Sequence, residues 1–270
     1  MNNEDIEKDF NLGGSVEKAL SGDYELSPTA VFQEAWKQTI KHFLTFSPAI
    51  VFLIFMQAVI FYIALKLQLG DPSVLLEAVK DPLLFDERIL QSIFMANFSY
   101  EVISAPLYAG ISLMAMSHAA GLTTRPRHMA KGLQFTIPVI IATLFSLMLQ
   151  AIASVLLPFV SFYLTMAFSL SILLICEKRV APLQSMLLSL RAINKKIFPI
   201  AGIYMMVTLM FVVATLFYGI GLIFVVPFFF HVKGILYRNM FGIRLKVVAS
   251  DMPAATDSDS GRNNPGSFDA

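Results

Sequence analysis

Charge is scarce in this sequence: Asp, Glu, Lys and Arg together make 14% of its 270 residues, whereas Ala, Val, Ile, Leu, Met, Phe, Trp, Tyr and Cys make 56%. So little charge cannot cover a water-soluble globule of this size, so an apolar medium must be part of its solvent. Cysteine is scarcer still. Cys176 is the only one, which excludes an internal disulfide and a multi-cysteine metal site, and its apolar neighbours make it a small buried hydrophobe. No long basic run is present. Twenty Lys and Arg against 19 Asp and Glu give a net charge of +1, spread in short clusters, which argues against a nucleic-acid partner. Phosphate-loop, dinucleotide, zincin and serine-elbow motifs are all missing, so nothing points to a catalytic residue, a cofactor site or a metal site.

What is present is a series of long uncharged runs. Spans of about twenty apolar residues cross the roughly 30 Å hydrocarbon layer, and six such runs stand out, at residues 43–65, 102–120, 135–157, 159–176, 198–218 and 220–236. The expected fold is an all-α polytopic membrane bundle over residues 27–246 with two cytoplasmic-side amphipathic helices. It is flanked by a disordered acidic tail over 1–26 and a disordered polar tail over 247–270. The first tail carries Glu4, Asp5, Glu7, Asp9, Glu17, Asp23 and Glu25 against Lys8 and Lys18, unlike a signal or transit peptide.

Local signals refine this picture. Ser27-Pro28 is a helix start, a hydroxyl acceptor followed by a residue that needs no donor. After it, Phe32, Ala35, Trp36, Ile40 and Phe43 share one helical face, as expected of a helix lying along a membrane surface. Residues 177–196 repeat the pattern, with Leu183, Met186, Leu187, Leu190 and Ile193 on one face. There Lys178, Arg179, Arg191, Lys195 and Lys196 become candidate contacts for lipid headgroups, against the alternative of a plain linker. Asp71-Pro72 and Asp81-Pro82 predict short helices in the external segment 71–98, and the spacing of Ile89, Ile93 and Phe94 starts the second span early. Ala105, Ala109, Ser112, Ala115 and Ala119 form a small-residue stripe that places the second span at the bundle centre. Thr143, Ser146, Gln150 and Ala153 form a similar packing stripe on the third.

Basic residues set orientation, because those close to a span resist translocation. Lys37, Lys41, Arg125, Arg127, Lys131, the cluster from Lys178 to Lys196, Arg238, Arg244 and Lys246 fall on one side, with only Lys66, Lys80 and Arg88 opposite. Both termini are therefore expected in the cytoplasm.

A carrier, pump or intramembrane hydrolase needs ionisable groups at depth. Three candidates interrupt the apolar runs: Glu101, His231 and Lys233. Glu101 lies about 30 Å along a helix from Gly121, favouring the outer interface over a functional carboxylate. Lys233 is near enough to Tyr237 and Arg238 for its stem to carry the ammonium to the headgroups, the reading favoured over an inward one. His118 and His128 fall at the cytoplasmic end of the second span with no metal-ligand spacing.

The segments Ala105-Pro106-Leu107-Tyr108-Ala109-Gly110, Ala181-Pro182-Leu183 ahead of Ser189 and Asn194, and Pro227 ahead of Tyr237-Arg238 resemble the YciC-like bacterial inner-membrane proteins. That group is related to the membrane domain attached to some glycerophosphodiester phosphodiesterases. The resemblance covers about residues 31–242 and implies a six-helix inner-membrane protein without an assigned activity. Ala30 to Gln33 leading to Pro48 also lies on Ala181 to Gln184 leading to Pro199, a weak parallel repeat. Two functions compete: a non-enzymatic envelope-support protein whose partners are membrane lipids, another membrane protein or a second copy, and a small carrier or channel, which requires an internal polar cavity.

The charge asymmetry makes a direct prediction. Reporter fusions after residues 25 and 260 should read cytoplasmic and an insertion at Val79 external; an external signal from either end would overturn the orientation.

Overall fold

The computed structural model describes residues 8–81 and 85–247. Its helices are α1 (Val16–Ser21), α2 (Pro28–Lys41), α3 (Phe43–Leu69), α4 (Ser73–Lys80), α5 (Glu87–Ala119), α6 (Thr136–Leu156), α7 (Pro158–Ala167), α8 (Ser171–Lys178), α9 (Pro182–Lys195), α10 (Ile197–Leu216) and α11 (Leu222–Phe241). A 3₁₀ segment, Pro126–Phe135, leads into α6, and two short strands, β1 (Lys8–Leu12) and β2 (Ile243–Val247), bracket the described chain. Six units are long and apolar enough to cross a membrane: α3, α5, the 3₁₀ segment with α6, α7 with α8, α10, and α11. The protein is an all-α, multi-pass membrane bundle.

The helix starts follow local chemistry. Ser27 Oγ accepts from the Ala30 amide and Pro28 takes the first turn of α2, while Asp86 caps α5 by accepting from the Ile89 amide at 2.8 Å. Asp71 accepts from Ser73 N at 2.9 Å ahead of α4; of the Asp81-Pro82 start, Pro82 lies outside the described residues. α5 begins well before its apolar part, as the spacing of Ile89 and Ile93 anticipates. The turn between α6 and α7 is the single extended residue Leu157. The fourth span is not one helix: residues 168–170 form a turn that divides α7 from α8.

α5 is the axis of the bundle, packed against α3, the 3₁₀ segment, α6, α8 and α11. Ala105, Ala109, Ser112, Ala115 and Ala119 are all buried along it, as the small-residue stripe implies. Small residues matter because lipid gives apolar side chains no reason to leave it, so helix pairs are held by close packing instead. Gly110 and Gly132 show how close: a Cβ on Gly110 would lie 1.8 Å from the Met129 carbonyl oxygen, and one on Gly132 would lie 2.1 Å from that of Pro106. Many large apolar side chains point outward, Phe159 and Phe198 each being 88% exposed.

The N-terminal tail is a correction. From residue 8 to 26 it is ordered, not disordered: β1 pairs antiparallel with β2, Lys8 opposite Val247 and Leu12 opposite Ile243. α1 is capped by Ser15 and ends on Gly22, whose φ of 86° suits glycine. Tyr24 is buried and donates to the Ala192 carbonyl in α9, and Lys196 Nζ donates to the Tyr24 carbonyl. Acidic composition suggested disorder, but the ordering partners β2, α9 and α11 lie some two hundred residues away, beyond any local signal. Residues 248–270, also expected to be disordered, lie outside the described residues.

The two expected amphipathic helices are present as α2 and α9. α9 buries Ser185, Met186, Ser189, Ala192 and Ile193 against protein and turns Leu183 and Leu187 outward. α2 likewise buries Val31, Ala35 and Thr39, leaving Trp36 and Ile40 exposed. In both helices small residues, Ala35 and Thr39 in α2 and Ser185, Ser189 and Ala192 in α9, are among those that meet the bundle, because a hydroxyl or methyl admits a neighbouring backbone where a leucine does not.

Gly110→Ala should lower the melting temperature of the detergent-solubilised protein, an overpacking cost of about 1–3 kcal/mol. Gly202→Ala, where a new Cβ meets nothing within 4 Å inside α10, should leave it unchanged or raise it. Equal responses would show that the close approach at Gly110 is not a constraint.

Candidate functional site

Two polar layers lie inside the bundle, on either side of an apolar one. The first is a cavity of about 330 Å³ between α3, α5, α6, the α7–α8 break and α11. Its walls mix hydroxyls and amides with apolar side chains such as Leu147, Phe168 and Ile172. Gln57 Nε2 of α3 donates to Ser104 Oγ of α5 at 3.1 Å, Gln150 Nε2 donates to Ser146 Oγ at 2.6 Å, and Thr165 Oγ1 donates to Gln150 Oε1 at 2.7 Å. Thr143 Oγ1 also lines the cavity and is buried without a hydrogen-bond partner. The stripe Thr143, Ser146 and Gln150, expected to pack helices, faces this space. In a span with no glycine the two uses look alike from spacing alone.

Lys233 is in the same cavity, and its position is a correction. Rather than reaching to the headgroups it is 3% exposed, its Nζ donating to Tyr108 Oη at 2.8 Å and standing 4.6 Å from the centre of the Tyr108 ring. Among the described residues no carboxylate lies within ion-pair distance of it. A buried ammonium without a counter-charge is costly, and in a membrane protein such a group marks a functional position. Glu101 also lines the cavity, two turns from Tyr108 and half-buried, with Oε1 accepting from Asn97 Nδ2 at 3.3 Å. It is a cavity carboxylate near the middle of α5, not a purely interfacial one.

The second layer is a histidine cluster nearer the side that carries the termini. His231 of α11 meets His118 of α5, with His231 Nε2 and His118 Nδ1 2.9 Å apart. His118 Nε2 lies 2.8 Å from Thr124 Oγ1, and His231 Nδ1 lies 3.0 Å from Thr39 Oγ1 of α2. His42, at the joint of α2 and α3, stacks on His118 with ring centres 3.9 Å apart and planes within 7°. It stands outside the spans, where burial first and Lys41 second hold its ring below the usual imidazole range, so it is neutral near pH 7. Its Nε2 is buried without a partner.

The distances fit a neutral pair in which Thr39 Oγ1, 2.8 Å from the Ala35 carbonyl, donates to it and accepts from His231 Nδ1–H, while His231 Nε2 accepts from His118 Nδ1–H and His118 Nε2 accepts from Thr124. The reverse chain, with Thr39 donating to His231 Nδ1 and His118 Nε2–H donating to Thr124, fits the same distances. In either sense every nitrogen of the pair is used once with both rings neutral.

Between the layers lie Phe46, Ile111, Met114 and Phe230, all buried. Phe46 stands 4.8 Å from His231 and Phe230 4.9 Å from Tyr108, centre to centre, so aromatic rings separate cavity from histidines. Sequence reading singled out Lys233, Glu101 and His231 but not their assembly, and it missed His42, Thr39 and Thr124. Only Thr39 left a signal, a polar residue at the helical spacing of Val31 and Ala35.

The basic residues expected at headgroups divide. Arg191 and Lys195 are exposed, but Lys178 pairs with Glu177 at 3.1 Å, Arg179 lies 4.3 Å over the Phe135 ring, and Lys196 is turned to Tyr24. Among the described residues no group of His, Cys, Asp and Glu is arranged to hold a metal ion. No protein-family model, curated protein or solved structure matches this chain.

His118→Ala should destabilise the protein by about 1–3 kcal/mol, because it strands His231 Nε2 and the Thr124 hydroxyl in the interior. His42→Phe keeps the stack and removes an unpartnered nitrogen, and should be neutral or stabilising. Thermal unfolding in one detergent compares them, and equal losses would remove the distinction between the bonded pair and the stacked ring.

Proposed function

We propose that this chain is a carrier for a small polar solute that bears an anionic group, held in the central cavity with that group at Lys233. The observation that carries the reading is the Lys233 ammonium, buried in a polar cavity with a phenol hydroxyl as partner and no carboxylate in reach. A carboxylate or phosphate oxygen would supply the missing charge, the Thr143 hydroxyl would supply a further hydrogen bond, and Glu101, about 10 Å along α5 from Tyr108, suits a cationic or donor group at the other end. A cavity of this volume holds a small metabolite. The buried Phe46–Phe230 layer closes the terminal side, so the arrangement corresponds to one state of an alternating-access cycle, with the α7–α8 break as a flexible wall.

The charge asymmetry supports both ends in the cytoplasm, and the YciC-like resemblance supports a bacterial inner membrane. The purified protein should gain thermal stability with at least one member of a panel of small carboxylates, phosphate monoesters and zwitterions, and the gain should vanish in Lys233→Met. Tyr108→Phe should weaken it by less. If no compound stabilises the protein, or if Lys233→Met responds like the wild type, the cavity is a packing feature and the envelope-support reading takes its place.

A further inference from the structure

We propose that the His118–His231 pair is a proton-binding site whose occupancy opens the terminal side of the bundle. The coupling of that opening to solute rests on the carrier reading; the proton site rests on the histidine geometry alone.

The neutral pair uses each of its nitrogens once, and one added proton can be taken up with a single rotation. In the arrangement that leaves His118 Nε2 bare, water delivers a proton to it, the Thr124 O–H leaves that nitrogen, and the hydroxyl turns to accept the new Nε2–H. The positive charge is then shared across the Nδ1–H···Nε2 bond between His118 and His231. A second proton, on His231, puts two N–H groups face to face where one hydrogen bond had been, and the contact must part.

That contact joins the moving parts of a terminal gate. It ties α11 to α5, and through Thr39 and Thr124 it ties both to α2 and to the loop after α5. The nearby charged and titratable groups do not offset a positive pair. From α2, Lys41 precedes His42 directly, and Glu34 is held by the two terminal guanidinium nitrogens of Arg238 at 2.6 and 2.8 Å. From the α2–α3 joint His42 stacks on the ring; α3 presents the uncharged Phe46, and on α11 Lys233 is bound to Tyr108. A charged pair is therefore better placed in water than in the closed layer.

The sign of the linkage follows. The closed layer holds the rings without an extra proton, whereas rings opened to water take protons near their ordinary value of about 6.5. The opened state thus binds more protons, and lowering pH through that value favours it by up to about tenfold per pH unit for each proton taken up. An anionic solute leaving through the opened side would do so with the proton that opened it.

The full chain in lipid nanodiscs tests this in two ways. With ¹⁵N-labelled histidine, NMR at pH 8 should show His118 and His231 each with one protonated and one bare nitrogen, and both should convert together as pH falls to 5. In parallel, Ser112→Cys in a Cys176→Ser background puts a thiol at a buried position between cavity and gate. Its labelling by a membrane-impermeant thiol reagent, normalised to a Gln33→Cys control on an exposed site, should rise about tenfold or more between pH 7.5 and 5.5. His231→Gln keeps a hydrogen-bonding group and should abolish the rise. The proposal is overturned if the rings convert without a change in labelling, if they stay neutral to pH 5 with labelling unchanged, or if His231→Gln keeps the rise. Should His231→Gln fail to fold, the wild-type spectra and labelling decide by the same criteria. A full pH response with no stabilising solute would sink the carrier and leave the proton site.

Discussion

The approach of α11 to α5 sets the rest of the structure. A Cβ on Gly234 would lie 2.8 Å from the Ala115 carbonyl carbon and oxygen, so glycine on one helix and alanine on the other let two backbones nearly touch. At that separation side chains to either side of the contact have nowhere to go but into each other. Lys233 is delivered to Tyr108 on one side, and His231 to His118 on the other. A larger residue at 234 would move α11 outward and dissolve both polar layers together. In lipid this kind of contact substitutes for hydrophobic collapse, because apolar groups are equally well solvated outside.

The two layers answer the same constraint in different ways. Inside a membrane every polar group needs a partner, since no water is at hand to supply one. The His118–His231 pair satisfies it internally, each of its nitrogens matched to one donor or acceptor, while the stacked His42 leaves its Nε2 without a partner. The cavity does not. Lys233 lacks a counter-charge and the Thr143 hydroxyl lacks a partner, and unsatisfied groups of this kind are what a bound solute completes. The difference between a joint and a site is thus a difference in hydrogen-bond satisfaction.

Outside the hydrocarbon the basic residues have structural work that topology alone would not require. Arg238 holds Glu34 of α2 with two nitrogens and also donates to the Ala119 carbonyl at the end of α5 at 2.8 Å. Glu177 accepts from Tyr237 Oη at 2.7 Å, from Lys178 Nζ, and from the backbone amide of Arg244 at the edge of β2. α11 therefore leaves the membrane into a small capping layer made of β1, β2, α1, α2 and α9, and the movements of its terminal half are tied to that layer.

The sequence by itself determined what depends on local composition. The six spans, the start of α2 at Ser27-Pro28, the early start of α5 and its place at the bundle centre all follow from runs, caps and small-residue spacing, which act within a few turns. Only the tertiary structure decided what depends on partners far apart in the chain. Lys233 could reach headgroups or turn inward, and the close approach of α11 to α5 fixed the inward choice. Thr143, Ser146 and Gln150 could pack a helix or line a space, and the break between α7 and α8 left the space. β1 needed an edge strand from the other end of the chain. His42, His118 and His231 are 76 and 113 residues apart in succession, so no spacing rule could join them until the helices carrying them were set side by side.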